Sequence, residues 1–517
     1  MRKSVIGYAC TSFLVIVFTT LGFLGQFFMP GYVQSQVEAA VKLTSPESTL
    51  FNTWQNPGKQ GNDIYQAIYI FNLTNAPQVA ENGETPQFER IGPYMYLEHR
   101  IKPKDSIGWF VNGSVQYGYR TTYEFVPSLS IYKGRQLSED DNITHVNIAV
   151  FGVAQQAQGA GTNAPAVWEA MSFFMDLEKT PIFLTHSAKN LTWGYTDPLL
   201  STLKILQPTL SPLVQLFNPD DPTSYQMPSE CYTGGGPGHL PNRSIEDSVQ
   251  SMTMWIGMRS LPYYFDDQGN LDLYANMING TDATQFHPNV KNTDTLYAFV
   301  DSIYRSGYMT YLEDVVLHGV TLKRFVLAEE MLQPYTQNPD NKPFQIKNRA
   351  IMPLPNLPIF ITKAMFLDAD MSVINVTIDN HNPPSQERER DDVFIDVEPM
   401  SGAVFSAQKR LQLNVYLTPL RWKNASGVDQ VISVTANLPT TYFPIVHVNE
   451  YGIASEKVCN DFISSVYTPL RVGKYGGVGS FVVAALLVVA MGITSFRSRD
   501  LTATHEEKDP INFNSYT

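Results

Sequence analysis

The sequence predicts a mostly β ectodomain with a few helices, carried between two membrane-spanning helices. Three observations lead there. Two long runs without a charged side chain, Val5–Met29 and Tyr475–Phe496, sit near opposite ends of the 517-residue chain. Eight Asn-X-Ser/Thr triplets lie between these runs and none in the tails. Between the runs, short stretches alternate apolar and polar residues with the period of two that buries one face of a strand.

Taken in order, residues 1–4 form a tail carrying Arg2 and Lys3, and residues 5–29 a first span. A helix needs about 20 apolar residues to cross the hydrocarbon, and both runs exceed that. Residues 475–496 are the second span and 497–517 a second tail, which begins with Arg497 and carries Arg499. Basic residues collect on the cytoplasmic side, so both tails read as cytoplasmic. Arg471 and Lys474 on the far flank weaken that signal at the second span. The sequons settle the expectation: Asn72, Asn112, Asn142, Asn190, Asn242, Asn279, Asn375 and Asn424 place residues 30–474 in the lumen or outside the cell, as a glycoprotein. A cleaved signal peptide is the alternative for the first run, which is too long and lacks a small-x-small cleavage site.

Val33, Val37, Ala40 and Val41 have helical spacing and predict a stem leaving the membrane. Strands are expected at Ile64–Leu73, Tyr94–Ile101, Val115–Phe125, Leu322–Leu327 and Ile359–Phe366. Ala166–Leu177 reads as a helix with Trp168, Met171 and Met175 on one stripe. Ile395 and Val397 alternate with Asp396 and Glu398, a turn follows at Pro399–Gly402, and alternation resumes through Leu411–Leu417: a β-hairpin. Pro228–Asn242 and Pro334–Pro358 read as long surface loops of a single domain, since no linker, repeat or low-complexity tract offers a boundary. A barrel and a large twisted sheet both satisfy this pattern.

Chemistry is scarce. The net charge of −13 argues against nucleic acid. There is no HExxH, GxSxG, GxxxxGK[ST] or CxxC, and the nine histidines are scattered without metal-ligand spacing, so neither an enzyme nor a metal protein is expected. Gln386–Asp392 reads as a solvated mixed-charge loop, and His145 as an exposed residue beside Asn142, its titration in an acidic lumen being the alternative. Gly473, Gly476, Gly477 and Gly479 mark the start of the second span as a close-packing helix face. Cys10 lies in the first span, as a lipid-facing or packed residue. Cys231 and Cys459 fall in the oxidising compartment, as a candidate disulfide or two free thiols.

Six short motifs, in order, resemble the class B scavenger receptor and lysosomal integral membrane protein family. They are Arg90-Ile-Gly-Pro-Tyr-Met-Tyr96, Phe125–Ser130, Trp193–Pro198, Ile278–Asp282, Ile378–Pro383 and Phe394–Pro399. The resemblance spans nearly the whole chain, both spans included. It implies an irregular antiparallel β-barrel with an internal hydrophobic tunnel and a helical apex. It further implies a receptor that passes fatty acids, sterols or phospholipids passively to or from the membrane. Moving an acyl chain through water costs about 0.8 kcal/mol per methylene, which an apolar conduit removes without an energy source. No cofactor is expected beyond bound lipid and N-glycans, and a homo-oligomer is left open. The alternative is a sorting or phagocytic receptor that binds a soluble protein or particle at its apex, with no lipid flux.

The sequence departs from the family in places. Asn276 stands where the surface receptors carry a cysteine, and the next cysteine is Cys459, so the usual disulfide cluster is absent. No Lys or Arg lies between Arg135 and Lys179, whereas Glu139, Asp140, Asp141, Glu169, Asp176 and Glu178 do. An acidic apex disfavours anionic particles. Trp168, Met171, Phe173, Phe174 and Met175 are the candidate apical contacts, with core packing between helices as the alternative. Glu506–Ile511 resembles an acidic dileucine sorting signal in which Pro510 replaces the first leucine, ahead of Ile511. Lysosome or endosome and plasma membrane both remain open as addresses.

Overall fold

The computed structural model describes residues 2–60, 63–110, 114–159, 164–177, 179–195, 197, 224–226, 231–234, 251–355 and 357–506. It divides into two compact units. The first joins Met1–Ala40, His318–Val320 and Glu456–Thr517. Its N-terminal helix runs from Arg2–Phe23 through a π-helical stretch, Leu24–Phe28, into Met29–Ala40. Its C-terminal helix runs likewise from Glu456–Phe462 through Ile463–Tyr467 into Thr468–Glu506. Ile6–Ala40 and Glu456–Arg497 are each long and apolar enough to cross a membrane. They pack on glycine. A Cβ on Gly25 would meet the Gly473 carbonyl oxygen at 2.5 Å, and one on Gly477 would meet the Gly22 oxygen at 3.1 Å. Gly476 and Gly479 face open space, so only half of the expected glycine face is used.

The second unit, Val41–Leu317 and Thr321–Ser455, holds the sheet. Its longer or site-forming strands are β1 (Ile64–Leu73), β2 (Gln87–Ile101), β3 (Ser114–Tyr117), β4 (Arg120–Phe125), β5 (Asn142–Val146), β6 (Phe183–Ser187), β7 (Ser224–Gln226), β8 (Cys231–Gly234), β9 (Met252–Met254), β10 (Leu296–Val300), β11 (Arg305–Leu317), β12 (Val320–Leu327), β13 (Ile359–Lys363), β14 (Phe394–Val397), β15 (Val404–Leu417) and β16 (Thr441–Ile453), with two-residue strands such as Met352–Pro353 and Thr377–Ile378 besides. Among the described residues, thirteen strands join one sheet whose main path is β7-β4-β2-β1-β16-β15-β14-β12-β11-β10. Each expected strand run contains strand, but Val115–Phe125 breaks into β3 and β4, and Ile359–Phe366 ends as strand at Lys363, where Ala364–Phe366 turns into a 3-10 helix. The expected hairpin is β14–β15, with Ile395 opposite Ala407 and Gly402 at φ 72 in its turn.

The expected barrel closure is not seen: no sheet closes on itself among the described residues. The main path ends in β7 and β10. β10 is already bridged at Ala298 by Thr281, which blunts its edge. The sheet is large and open, and helices and short hairpins pack around it.

Helices α1 (Ile148–Gly159) and α2 (Ala164–Leu177) cover one end of the largest core, which includes Phe71, Phe88, Phe366 and Phe443. A second cluster gathers Trp54, Tyr117, Trp255 and Phe344. A third gathers Ile68, Tyr94, Tyr96 and Ile143. Where these three approach one another, the inner face of the sheet becomes polar.

Candidate functional site

Alternation along β1, β2, β15 and β16 builds this face. Residues directly opposite in antiparallel strands share a side of the sheet. Tyr94, Ile68, Val448 and Leu411 stand in one cross-strand row. The next row on the same side is Tyr96, Gln66, Glu450 and Lys409. One row is apolar and its neighbour charged.

The charged row forms a network. Arg100 Nη2 lies 2.6 Å from Glu98 Oε1 and 3.0 Å from Glu450 Oε1, and Lys409 Nζ lies 3.2 Å from Glu450 Oε2. Gln66 Nε2 donates to Glu98 Oε2 and to Tyr123 Oη, each at 3.2 Å. Tyr119 Oη donates to Asp301 Oδ2 at 2.6 Å. Burial pushes the Glu98 carboxyl up, against the opposing pull of Arg100. Burial acts the same way on Glu450, yet Lys409 and Arg100 overcome it and hold that carboxyl well below its usual range. The site is interior, since Tyr119 flanks the Trp54 cluster, Tyr123 the Tyr94 cluster, and Leu411, Leu413 and Val446 the largest core. Even so, the side chains of Arg100, Lys409 and Glu450 remain 26%, 34% and 22% exposed. Interior groups that keep such exposure line a space.

Sequence reading missed this network, and a signal was there. Glu98 continues the period of Tyr94 and Tyr96, and Glu450 that of Val446 and Val448, each placing a charge at an inward position.

The candidate apical residues separate. Trp168, Met171 and Met175 are buried in the largest core, Phe174 packs against it, and Phe173 is 61% exposed on α2. Core packing therefore accounts for the stripe. The exposed side of the same helix carries Phe173 and Leu177 beside Glu169 and Asp176. The acidic character of this region is partly compensated. Arg135 Nη1 pairs with Asp141 at 2.9 Å, Tyr94 also donates to Asp141, and Tyr96 donates to Glu139.

His145 is not exposed. It is buried on β5, its Nε2 2.9 Å from His186 Nδ1 and its Nδ1 2.8 Å from the Val146 carbonyl oxygen. Tyr195 stacks on His186 with ring centroids 4.0 Å apart. Burial lowers His145 to about 4. Gln386–Asp392 is solvated over Gln386–Glu389, but its end is not. Asp391 and Asp392 are buried, Lys363 Nζ meets Asp368 at 2.8 Å and Asp392 at 2.5 Å, and Arg388 bridges the same two carboxylates at 2.7 and 2.9 Å. The segment covers the opposite side of the sheet, where Arg410 Nη1 donates to the Asp392 carbonyl.

Cys459 is a buried free thiol and Cys10 an exposed one; the Cys231 half of the candidate disulfide lies outside the described side chains. Asn142, Asn190 and Asn375 are exposed, Asn72 and Asn424 half-buried, and Asn279 buried at 5%. Asn112, Asn242, Glu178, Pro510 and Ile511 lie outside the described residues, as do the side chains of Cys231 and Glu506.

Comparison with known proteins agrees across the chain. A family model described as the CD36 family matches residues 10–495. Lysosome membrane protein 2 of Rattus norvegicus is 28% identical over 440 residues, covering 82% of this chain and 81% of that protein. Scavenger receptor class B member 1 of Bos taurus is 24% identical over 506 residues, covering 95% and 90%. Sensory neuron membrane protein 2 of Manduca sexta is 23% identical over 533 residues, covering 97% and 94%.

Proposed function

The chain belongs to the CD36 family, as a membrane protein of the class B scavenger receptor type, and from that premise we propose that its ectodomain binds lipids and passes them passively to or from the membrane. One observation carries the proposal. The inner face of the sheet presents partly exposed apolar side chains, Leu411, Leu413, Val446 and Val448, in the interior of the ectodomain. Such residues gain little from burial unless something apolar covers them. An acyl chain or sterol ring meets that need. Fatty acids, sterols and phospholipids are the proposed cargo, with residence in a lysosomal or endosomal membrane or the plasma membrane.

Replacing Val448 by Trp tests the path. The indole fills the space beside Leu411 and Ile68, so lipid uptake by cells expressing the variant falls about tenfold while surface expression holds. Unchanged uptake at equal expression sinks the conduit.

A second reading rests on Phe173 and Leu177, the latter 63% exposed, one turn apart on α2 between acidic neighbours. It makes the protein a receptor for a soluble protein or particle with an apolar, basic surface. That reading requires the Val448→Trp protein to capture its ligand normally and to show no loss of lipid flux.

A further inference from the structure

The interior network has spare donors and no spare positive charge. Arg100 Nε is fully buried and out of reach of an incoming group, so the reachable spare donors are those of Lys409. Lys409 Nζ has one hydrogen-bond acceptor, Glu450, for its three N–H groups. The acceptors are more fully occupied. Glu450 takes Arg100 on one oxygen and Lys409 on the other, while Glu98 Oε2 takes Gln66. Glu98 Oε1 sits 2.6 Å from Arg100 Nη2 in an ion pair.

The formal charges leave no positive excess. Arg100 and Lys409 face Glu98 and Glu450, and Asp301, engaged by Tyr119, adds a further negative charge on the Lys409 side. Bringing an unaccompanied anion into this setting requires desolvating it with no net positive field in return. An uncharged oxygen needs no such return. It accepts from the free N–H groups of Lys409 and leaves the ion pairs intact, while its hydrocarbon lies along the adjacent row of Ile68, Val448 and Leu411.

We propose that Lys409, held with Arg100 by Glu450 and Glu98, forms a headgroup site for a lipid whose head is an uncharged oxygen, a hydroxyl or an ester carbonyl, rather than a carboxylate. The inference rests on the lipid-binding reading above and narrows its cargo to alcohols, sterols and acyl esters. It assigns the row of apolar residues to the chain and the charged row to the head. The carboxylates act as positioning residues that fix the donors.

The test uses the full-length protein in detergent and three radiolabelled probes of one chain length: hexadecanol, hexadecanoate at pH 7.4 and hexadecane. The protein is expected to retain hexadecanol about tenfold over hexadecane and several-fold over hexadecanoate. Lys409→Met lowers hexadecanol retention about tenfold, to the level of hexadecane, without changing hexadecane itself, and Lys409→Arg restores it. Glu450→Gln removes a negative charge, so it shifts the preference toward hexadecanoate, a change that misfolding does not produce. Equal retention of all three probes, or a preference for hexadecanoate in the unmodified protein, overturns the headgroup site while the lipid-binding reading stands. Loss of all probes alike in both Lys409 variants overturns it too. If the unmodified protein retains none of the three, the lipid-binding reading falls, and this inference with it.

Discussion

Protonating His145 sets two donors against each other. Its Nδ1–H is committed to the Val146 carbonyl and its Nε2 to accepting from His186, so the folded protein holds the neutral ring. The unfolded chain takes up that proton near the ordinary pKa of about 6.5, whereas the folded protein resists it until about 4. The unfolded state thus binds more protons throughout that window, and stability falls as the pH drops through it. The difference amounts to roughly 3 kcal/mol at most for this residue. His447, buried on the opposite side of the sheet and pushed down to about 3, acts in the same direction. His145→Asn keeps a donor and an acceptor but does not titrate. The drop in melting temperature between pH 7.5 and pH 4.5 is therefore expected to shrink in that variant, and an unchanged drop assigns the effect to other groups. The sequence offered a titrating His145 only as the alternative to an exposed one, because the partner, His186, lies 41 residues away and nothing in the period of β5 announces it. Trp168, Met171 and Met175 show a related limit. Their helical spacing placed them together, but spacing alone cannot separate a buried stripe from a binding face, and only the neighbouring α1 makes the distinction.

At the scale of elements, local periodicity carried far and pairing did not. The β14–β15 hairpin could be read because its strands are adjacent and joined by a Gly402 turn. The pairing of β1 with β16, which joins residue 64 to residue 452, leaves no trace in either strand. Closure of the sheet was an expectation of the family resemblance, and an edge bridge such as Thr281–Ala298 is invisible to a period of two. The glycines of the C-terminal helix were legible as a packing face, though not which of them pack. Gly473 and Gly477 do, one helical turn apart and against Gly25 and Gly22. Gly477→Leu is expected to force the two helices apart at a cost on the order of 1–3 kcal/mol, the usual range for overpacking. Gly476→Leu, in open space, is expected to be neutral. Cysteine crosslinking between the two apolar helices in membranes, compared across both variants, reads the difference. Equal crosslinking in the two variants contradicts the close contact.

For the whole molecule, the strongest untested claim is that the ectodomain folds on the glycosylating side of the membrane, tied down at both ends. The sequence supplied eight candidate acceptors, and burial now ranks six of them. A glycan attached to an Asn amide before folding must reach solvent afterwards, so a sequon buried in the finished fold either stays unmodified or blocks folding. Asn142, Asn190 and Asn375 meet that condition. Asn279 does not: it is buried, and its backbone N–H is bound by the Ser306 hydroxyl at 2.9 Å. Asn424 is intermediate, its side-chain oxygen closing a turn onto the N–H groups of Ser426 and Val428 while its amide nitrogen stays available. Replacing Asn142, Asn190 or Asn375 by Gln should each remove one glycan, seen as a step in gel mobility that glycosidase treatment abolishes. Asn279→Gln should produce no step. Because Asn142 and Asn375 stand far apart in the chain on one continuous unit, steps at both place the length between them on a single side of the membrane. Two charge-free helices at the ends then leave one arrangement, with both tails on the opposite side. A step at Asn279, or none at the three exposed positions, breaks the link between burial and topology and reopens the orientation.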